Sequence, residues 1–331
     1  MKTSLMKWAM SLLFVLAAMQ AQAQQQVVGS QRLPQAERGV FTLDGRYFVI
    51  SGAGVEEIKR SPDSSTNCSQ EATQLLTICT LVRPVLNGTP CTFTGMTTDG
   101  IYLFAICSVN LAVTQPVSAA ALFRILPGPS AASEVKIRSF DNPTFYNGMT
   151  VLGPNTLLLT DTSSGLLNIL LGNRDVSAVT KLTITNEATL DFQLSEWLPA
   201  SPLLLAPNGI TRDGNFVYFV GGQSLFRIRV LPDGSAGIPI LIYQAALTQT
   251  MDDLVAVGNR IAVAEIALVN GVLGANSITF VNKAGLGEPV RVSTGLLQLS
   301  AVAVDRGTLF DPGDIIATSF FQGGVYRFSL R

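Results

Sequence analysis

The chain of 331 residues contains no histidine. A serine or cysteine nucleophile therefore has no imidazole base, and Ser-His-Asp chemistry is closed to it. Histidine-ligated zinc, haem and copper sites are closed as well. Charge is also scarce: Asp, Glu, Lys and Arg together make up 14% of the residues, 22 basic against 23 acidic. That balance offers no footprint for nucleic acid or for an anionic membrane surface. Any hydrolytic chemistry must run on carboxylates, amides and a hard cation.

A run of about 20 apolar residues, which a membrane helix needs, is missing too. The apolar stretch from Trp8 to Met19 is shorter, follows Lys2 and Lys7, and precedes Ala21-Gln22-Ala23. A basic start, a short apolar core and a small-x-small site describe a secretory signal peptide over 1–23, with cleavage expected after Ala23. Its removal leaves 20 basic and 23 acidic residues. The expected product is a secreted, extracellular monomer without a membrane span, with a lead-in over 24–34 and one large domain over 35–331.

Only four cysteines are present, Cys68, Cys79, Cys91 and Cys107, all in one segment. An even count in an exported chain reads as disulfides, with three possible pairings. The local pairs Cys68 with Cys79 and Cys91 with Cys107 are favoured, since the second could bridge neighbouring strands. A zinc site lacks a C-x-x-C pair and any histidine. The same polar insertion, about 60–92, carries the glycosylation sequons Asn67-Cys68-Ser69 and Asn87-Gly88-Thr89.

What the chain does have is repetition. Ala206-Pro207-Asn208-Gly209-Ile210 opens a unit of apolar strand, Asp213-Gly214 turn, second strand Phe216 to Val220, Gly221-Gly222, and third strand Leu225 to Ile228. Asp-Gly and Gly-Gly pairs between apolar runs are hairpin signals. The same order recurs from Val40, from Gly95 and from Gly148, where the following strands are read at 156–160 and 166–170. It returns from Leu254 and from Ala301, the last copy ending in Gly323 to Phe328. Six units of about 45 to 60 residues built from short strands indicate an all-β fold, a six-bladed β-propeller of four-stranded antiparallel blades around a central channel.

In a propeller the innermost strands line the channel, and their starts meet at one mouth. The residues ahead of these strands include Glu37, Asn147, Asn208 and Asp252. Asn147 or Asn208 alone reads as a turn residue. Together the four form an all-oxygen donor set, which suits calcium or magnesium rather than softer metals. Two carboxylates in a narrow channel repel, and a divalent cation removes that conflict.

Glu37-Arg38-Gly39-Val40-Phe41, Asn147-Gly148, Pro207-Asn208-Gly209-Ile210 and Asp252-Asp253-Leu254 resemble the four metal-ligand stations of the gluconolactonase family, which includes the regucalcin (senescence marker protein) type. The resemblance runs through nearly the whole chain after residue 23. It implies one divalent cation, most simply calcium, held by Glu37, Asn208 and Asp252, and hydrolysis of a small-molecule lactone or ester. Asp252 is then also the general base, with Asn147 on the substrate side, where Phe145 and Tyr146 could line the same wall. There are departures from the family pattern. Glu-Gly-Pro is replaced by Glu37-Arg38-Gly39, and Asp-Gly-Leu by Asp252-Asp253-Leu254, which leaves open which aspartate points inward. Phe145 stands where sugar-lactone enzymes of the family tend to carry an arginine. These departures keep a second expectation in play, an extracellular binding propeller with a structural cation or none.

Overall fold

The computed structural model describes residues 24–29, 32–71, 76–109, 117–162, 177–201, 204, 206–269, 272–274 and 276–329. These residues form antiparallel sheets and contain no α-helix. No helix among them is long and apolar enough to cross a membrane. The 1–23 segment lies outside the described residues.

Six sheets follow one another as the repeats require. Their inner strands are Arg38–Phe41, Thr92–Thr98, Tyr146–Gly153, Pro207–Asp213, Gln249–Val257 and Leu299–Val304. Each inner strand touches the next, and the sixth touches the first, so the ring is closed. The protein is a six-bladed β-propeller. Its core is six separate apolar layers between facing sheets, such as the Phe93 and Phe123 layer between the first and second blades. A lone blade would leave both faces of its sheet wet, so the radial stack is what buries them.

Closure uses the chain's two ends in one sheet. Gln24–Val28 is the outer strand of the sixth blade, paired antiparallel with Gly324–Phe328, beyond which lie Ile315–Ser319 and Leu299–Val304. Part of the expected lead-in is thus a blade strand, and Val27 and Val28 are buried beneath it.

The first blade departs from four strands. Cys68–Glu71 adds a fifth strand outside Leu76–Val82. The disulfide Cys68–Cys79 joins directly opposed residues of these two strands. The second disulfide, Cys91–Cys107, ties the entrance of the second blade's inner strand to its neighbour Leu103–Val109. Both favoured pairings are the ones formed. Between them, Val85–Leu86 and Thr89–Pro90 form a two-residue hairpin in which Asn87 and Gly88 both have positive φ, 50° and 81°. That is the backbone an Asn-Gly turn of this kind requires.

The two sequons differ in availability. Asn87 is exposed at its turn, whereas the Asn67 amide nitrogen donates to the Thr80 carbonyl at 3.0 Å and to the Ser130 carbonyl. In the third blade the run 166–170 lies outside the described residues, and Ser177–Asn186 occupies the third strand position. Period and turn signals cannot distinguish two apolar runs competing for one place in a sheet.

Candidate functional site

All six blades contribute to a small cavity at one mouth of the channel. Its lining is Glu37 and Arg38 from the first blade, Thr94 from the second, Asn147 from the third, Asn208 and Gly209 from the fourth, Asp252 and Asp253 from the fifth, and Ser300 from the sixth. The cavity measures about 10 Å³. That is room for about one water-sized occupant.

The local device that aims these residues inward is a repeated backbone irregularity. Pairing of inner with second strand skips at Thr94, at Asn147-Gly148, at Asn208-Gly209, at Asp252-Asp253 and at Ser300. A bulge places extra backbone against its partner strand, breaks the in-out alternation and re-aims a side chain. In the first blade no bulge occurs; Glu37 sits just ahead of the strand, its N–H donating to the Ile50 carbonyl at 3.0 Å.

The glycines that follow three of these stations are dictated by the neighbouring blade. A Cβ on Gly95 or on Gly148 would stand 2.2 Å from the carbonyl oxygen of Asn147 or Asn208 respectively, and one on Gly209 would stand 2.8 Å from that of Asp252. Successive inner strands therefore approach backbone to backbone around the mouth. Hydroxyls stitch the same seam. Thr94 Oγ1 donates to the Tyr146 carbonyl at 2.6 Å, Thr160 Oγ1 donates to the Asn208 carbonyl, and Thr162 Oγ1 donates to the Pro207 carbonyl at 2.6 Å.

Four expected residues, Glu37, Asn147, Asn208 and Asp252, meet at the cavity. Asn208 Nδ2 donates to Asp252 Oδ1 at 2.6 Å, leaving the Asn208 amide oxygen as its acceptor atom. Phe145 and Tyr146 are not part of the lining. Tyr146 is 4% exposed and packs on Phe140 in the third-blade layer, with ring centroids 5.2 Å apart. Burial pushes its hydroxyl up to about 12.

Sequence reading missed Arg38, Thr94 and Ser300. Thr94-Gly95 repeats the station-glycine pattern of Asn147-Gly148 and was legible on that ground. Arg38 was not, because nothing local announces a buried cation. Its guanidinium donates through Nη2 to the Ile210 carbonyl at 2.9 Å and pairs through Nη1 with Asp253 Oδ1 at 3.2 Å. Both Asp252 and Asp253 line the cavity, which answers the question of which aspartate turns inward.

Three carboxylates thus face one guanidinium. Burial, then Asp252 and Asp253, push the Glu37 carboxyl well above the usual range, against the pull of Arg38. Burial and the adjacent Asp253 raise Asp252 to about 7, although the Asn208 amide and Arg38 oppose it. Burial also raises Asp253, despite its pairing with Arg38. Three carboxyls against one guanidinium cannot all ionise without leaving unbalanced negative charge, and every candidate donor but Arg38 offers oxygen. That chemistry fits a hard divalent cation. Among the described residues, the one group of three or more acidic or cysteine ligand atoms within 4.8 Å of each other is Asp63 with Cys68 and Cys79, whose sulfurs form a disulfide.

No protein-family model matches the chain, and no curated protein matches it significantly in sequence. Solved structures do resemble it. A streptogramin B lyase is 12% identical, with a TM-score of 0.51 over 93% of this chain and 97% of that one. A luciferin-regenerating enzyme is 11% identical, with a TM-score of 0.55 over 92% and 96%. The PQQ-bound aldose sugar dehydrogenase from Streptomyces coelicolor is 12% identical, with a TM-score of 0.58 over 92% and 97%. At these identities the likeness is one of architecture, and it places the chain among six-bladed β-propellers of the kind on which those three proteins are built.

Proposed function

We propose that the protein is a secreted, divalent-cation-dependent hydrolase of lactones or related esters, working at the channel mouth. The observation that supports this most is the surplus of buried carboxylate around an ion-sized, oxygen-lined cavity. Glu37, Asn208 and Asp252 would hold the cation, calcium suiting their oxygen donors. Two disulfides agree with an extracellular address.

A bound divalent cation supplies Lewis-acid polarisation of an ester carbonyl and makes a nearby water more acidic. The chain's own contribution is proton handling and positioning. Asp252 accepts the proton of the attacking water, and the Asn208 amide hydrogen bond fixes the orientation of its carboxylate. Asn147 stands beside it on the third blade as a neutral hydrogen-bonding group. The experiment is hydrolysis of a panel of lactones and aryl esters by chelator-dialysed and calcium-reloaded protein, with Asp252→Ala alongside. Turnover that survives both chelation and Asp252→Ala sinks the mechanism.

One observation favours a second reading, an extracellular binding propeller with a structural cation. A cavity of about 10 Å³ admits an ion but not a lactone, so substrate has to sit above it. Chelator-sensitive melting with no turnover on the whole panel supports that reading.

A further inference from the structure

Arg38 occupies an unusual place for a permanent cation. It belongs to the first blade, while Ile210, whose carbonyl it holds, belongs to the fourth, on the opposite side of the ring. Asp253, its ion-pair partner, belongs to the fifth. The side chain therefore crosses the channel and forms part of the cavity lining. Arg38 and Asp253 are both nine-tenths buried or more. A guanidinium stays charged in such a setting, so its charge is fixed.

We propose that Arg38 is a built-in counter-cation that sets which ion the site takes. Its ion pair with Asp253 Oδ1 at 3.2 Å offsets that carboxylate's charge, leaving the charges of Glu37 and Asp252 beside the neutral Asn208. Two carboxylates match a divalent ion. Three would match a trivalent one. The inference rests on the cation reading given above, and it concerns ion choice, which can be measured without any substrate.

The attraction lost to a fixed positive charge scales with the charge of the incoming ion, so Arg38 disfavours a trivalent ion more than a divalent one. Titration calorimetry at constant pH with Ca²⁺ and with Tb³⁺ reads this directly on the purified full chain. In Arg38→Met the Tb³⁺ to Ca²⁺ affinity ratio is expected to rise by about tenfold or more. Asp253→Asn leaves Arg38 uncompensated and is expected to lower both affinities, Tb³⁺ more than Ca²⁺, so that the ratio falls below that of the parent, whereas Asp252→Asn removes a ligand and abolishes Ca²⁺ binding. The double variant Arg38→Met/Asp253→Asn restores the net charge and returns the ratio to that of the parent protein. An unchanged ratio in Arg38→Met overturns the proposal, as does a double variant that stays shifted. Should Arg38→Met fail to fold, Asp253→Asn decides: a Tb³⁺ to Ca²⁺ affinity ratio that does not fall overturns it. A parent protein that binds neither ion overturns the cation reading itself, and this inference with it.

Discussion

Replacing Gly148 by alanine tests the backbone-to-backbone approach of neighbouring inner strands at the channel mouth. The new Cβ would lie 2.2 Å from the Asn208 carbonyl oxygen, 2.9 Å from Thr160 Oγ1 and 3.1 Å from the Asn208 carbonyl carbon. None of these atoms is the loose end of a flexible chain. The Gly148 N–H donates to Thr160 Oγ1 at 2.7 Å, and that hydroxyl in turn donates to the Asn208 carbonyl. Ordinary contact distance requires the third and fourth inner strands to separate by about 1 Å, which strains the ring and stretches this relay. Overpacking costs about 1–3 kcal/mol, and a weakened buried hydrogen bond adds about 1 kcal/mol. The stiffer unfolded chain returns about 0.4–1 kcal/mol. A net loss of about 1–3.6 kcal/mol is expected, a fall in Tm of several degrees. The control is Gly153→Ala at the far end of the same strand, where a Cβ meets nothing within 4 Å. Urea denaturation of both variants measures the difference. If Gly148→Ala and Gly153→Ala unfold at the same midpoint, the backbone-to-backbone seam at the channel mouth does not exist.

Stability of the chelated protein should fall as pH rises from about 4 to about 7. Asp252, Glu37 and Glu56 have raised values in the fold, Asp252 and Glu56 to about 7, so the folded state holds more protons than the unfolded one across that window. Melting of the parent and of Asp252→Asn checks this, the variant showing the shallower slope; equal slopes would contradict the assignment. Calcium at neutral pH should raise the parent's Tm by relieving the same repulsion, measured by calorimetry with and without chelator. Replacing Cys68 and Cys79 together by serine should cost roughly 3 kcal/mol, the scale of a short closed loop, in a denaturant titration. Deleting Gln24–Val28 uncovers the sixth blade and removes the burial of Val27 and Val28; about 1.5–3 kcal/mol for each valine is the expected loss, read in the same titration.

The residues that were legible in the sequence share a property: their neighbours in the chain already reveal them. Asn147 and Asn208 are each followed by a glycine and an apolar run, Asp252 comes just before the apolar run from Leu254, and the turn signals repeat; the strands themselves begin earlier and include all three. Cys68 and Cys79 fell close enough together for adjacent strands to join them. Tyr146, next to Asn147 in the chain, is buried among Phe140 and the third-blade layer, a placement set by tertiary packing rather than by sequence neighbours. Ser300 has no such signal, because it is followed by no glycine and its hydroxyl becomes a site group only opposite another blade.

Local patterning by itself determined the blade count, the strand periodicity and the absence of histidine chemistry, since each depends on residues close in sequence or on composition, and it favoured the disulfide pairs that the strand register then fixed. Ring closure decided the rest. Only when the first blade stood across from the fourth could Arg38 reach the Ile210 carbonyl, and only when the fifth closed beside them did Asp253 become its partner. A charge balance between residues more than 200 positions apart depends on their separation in space, which no local pattern encodes.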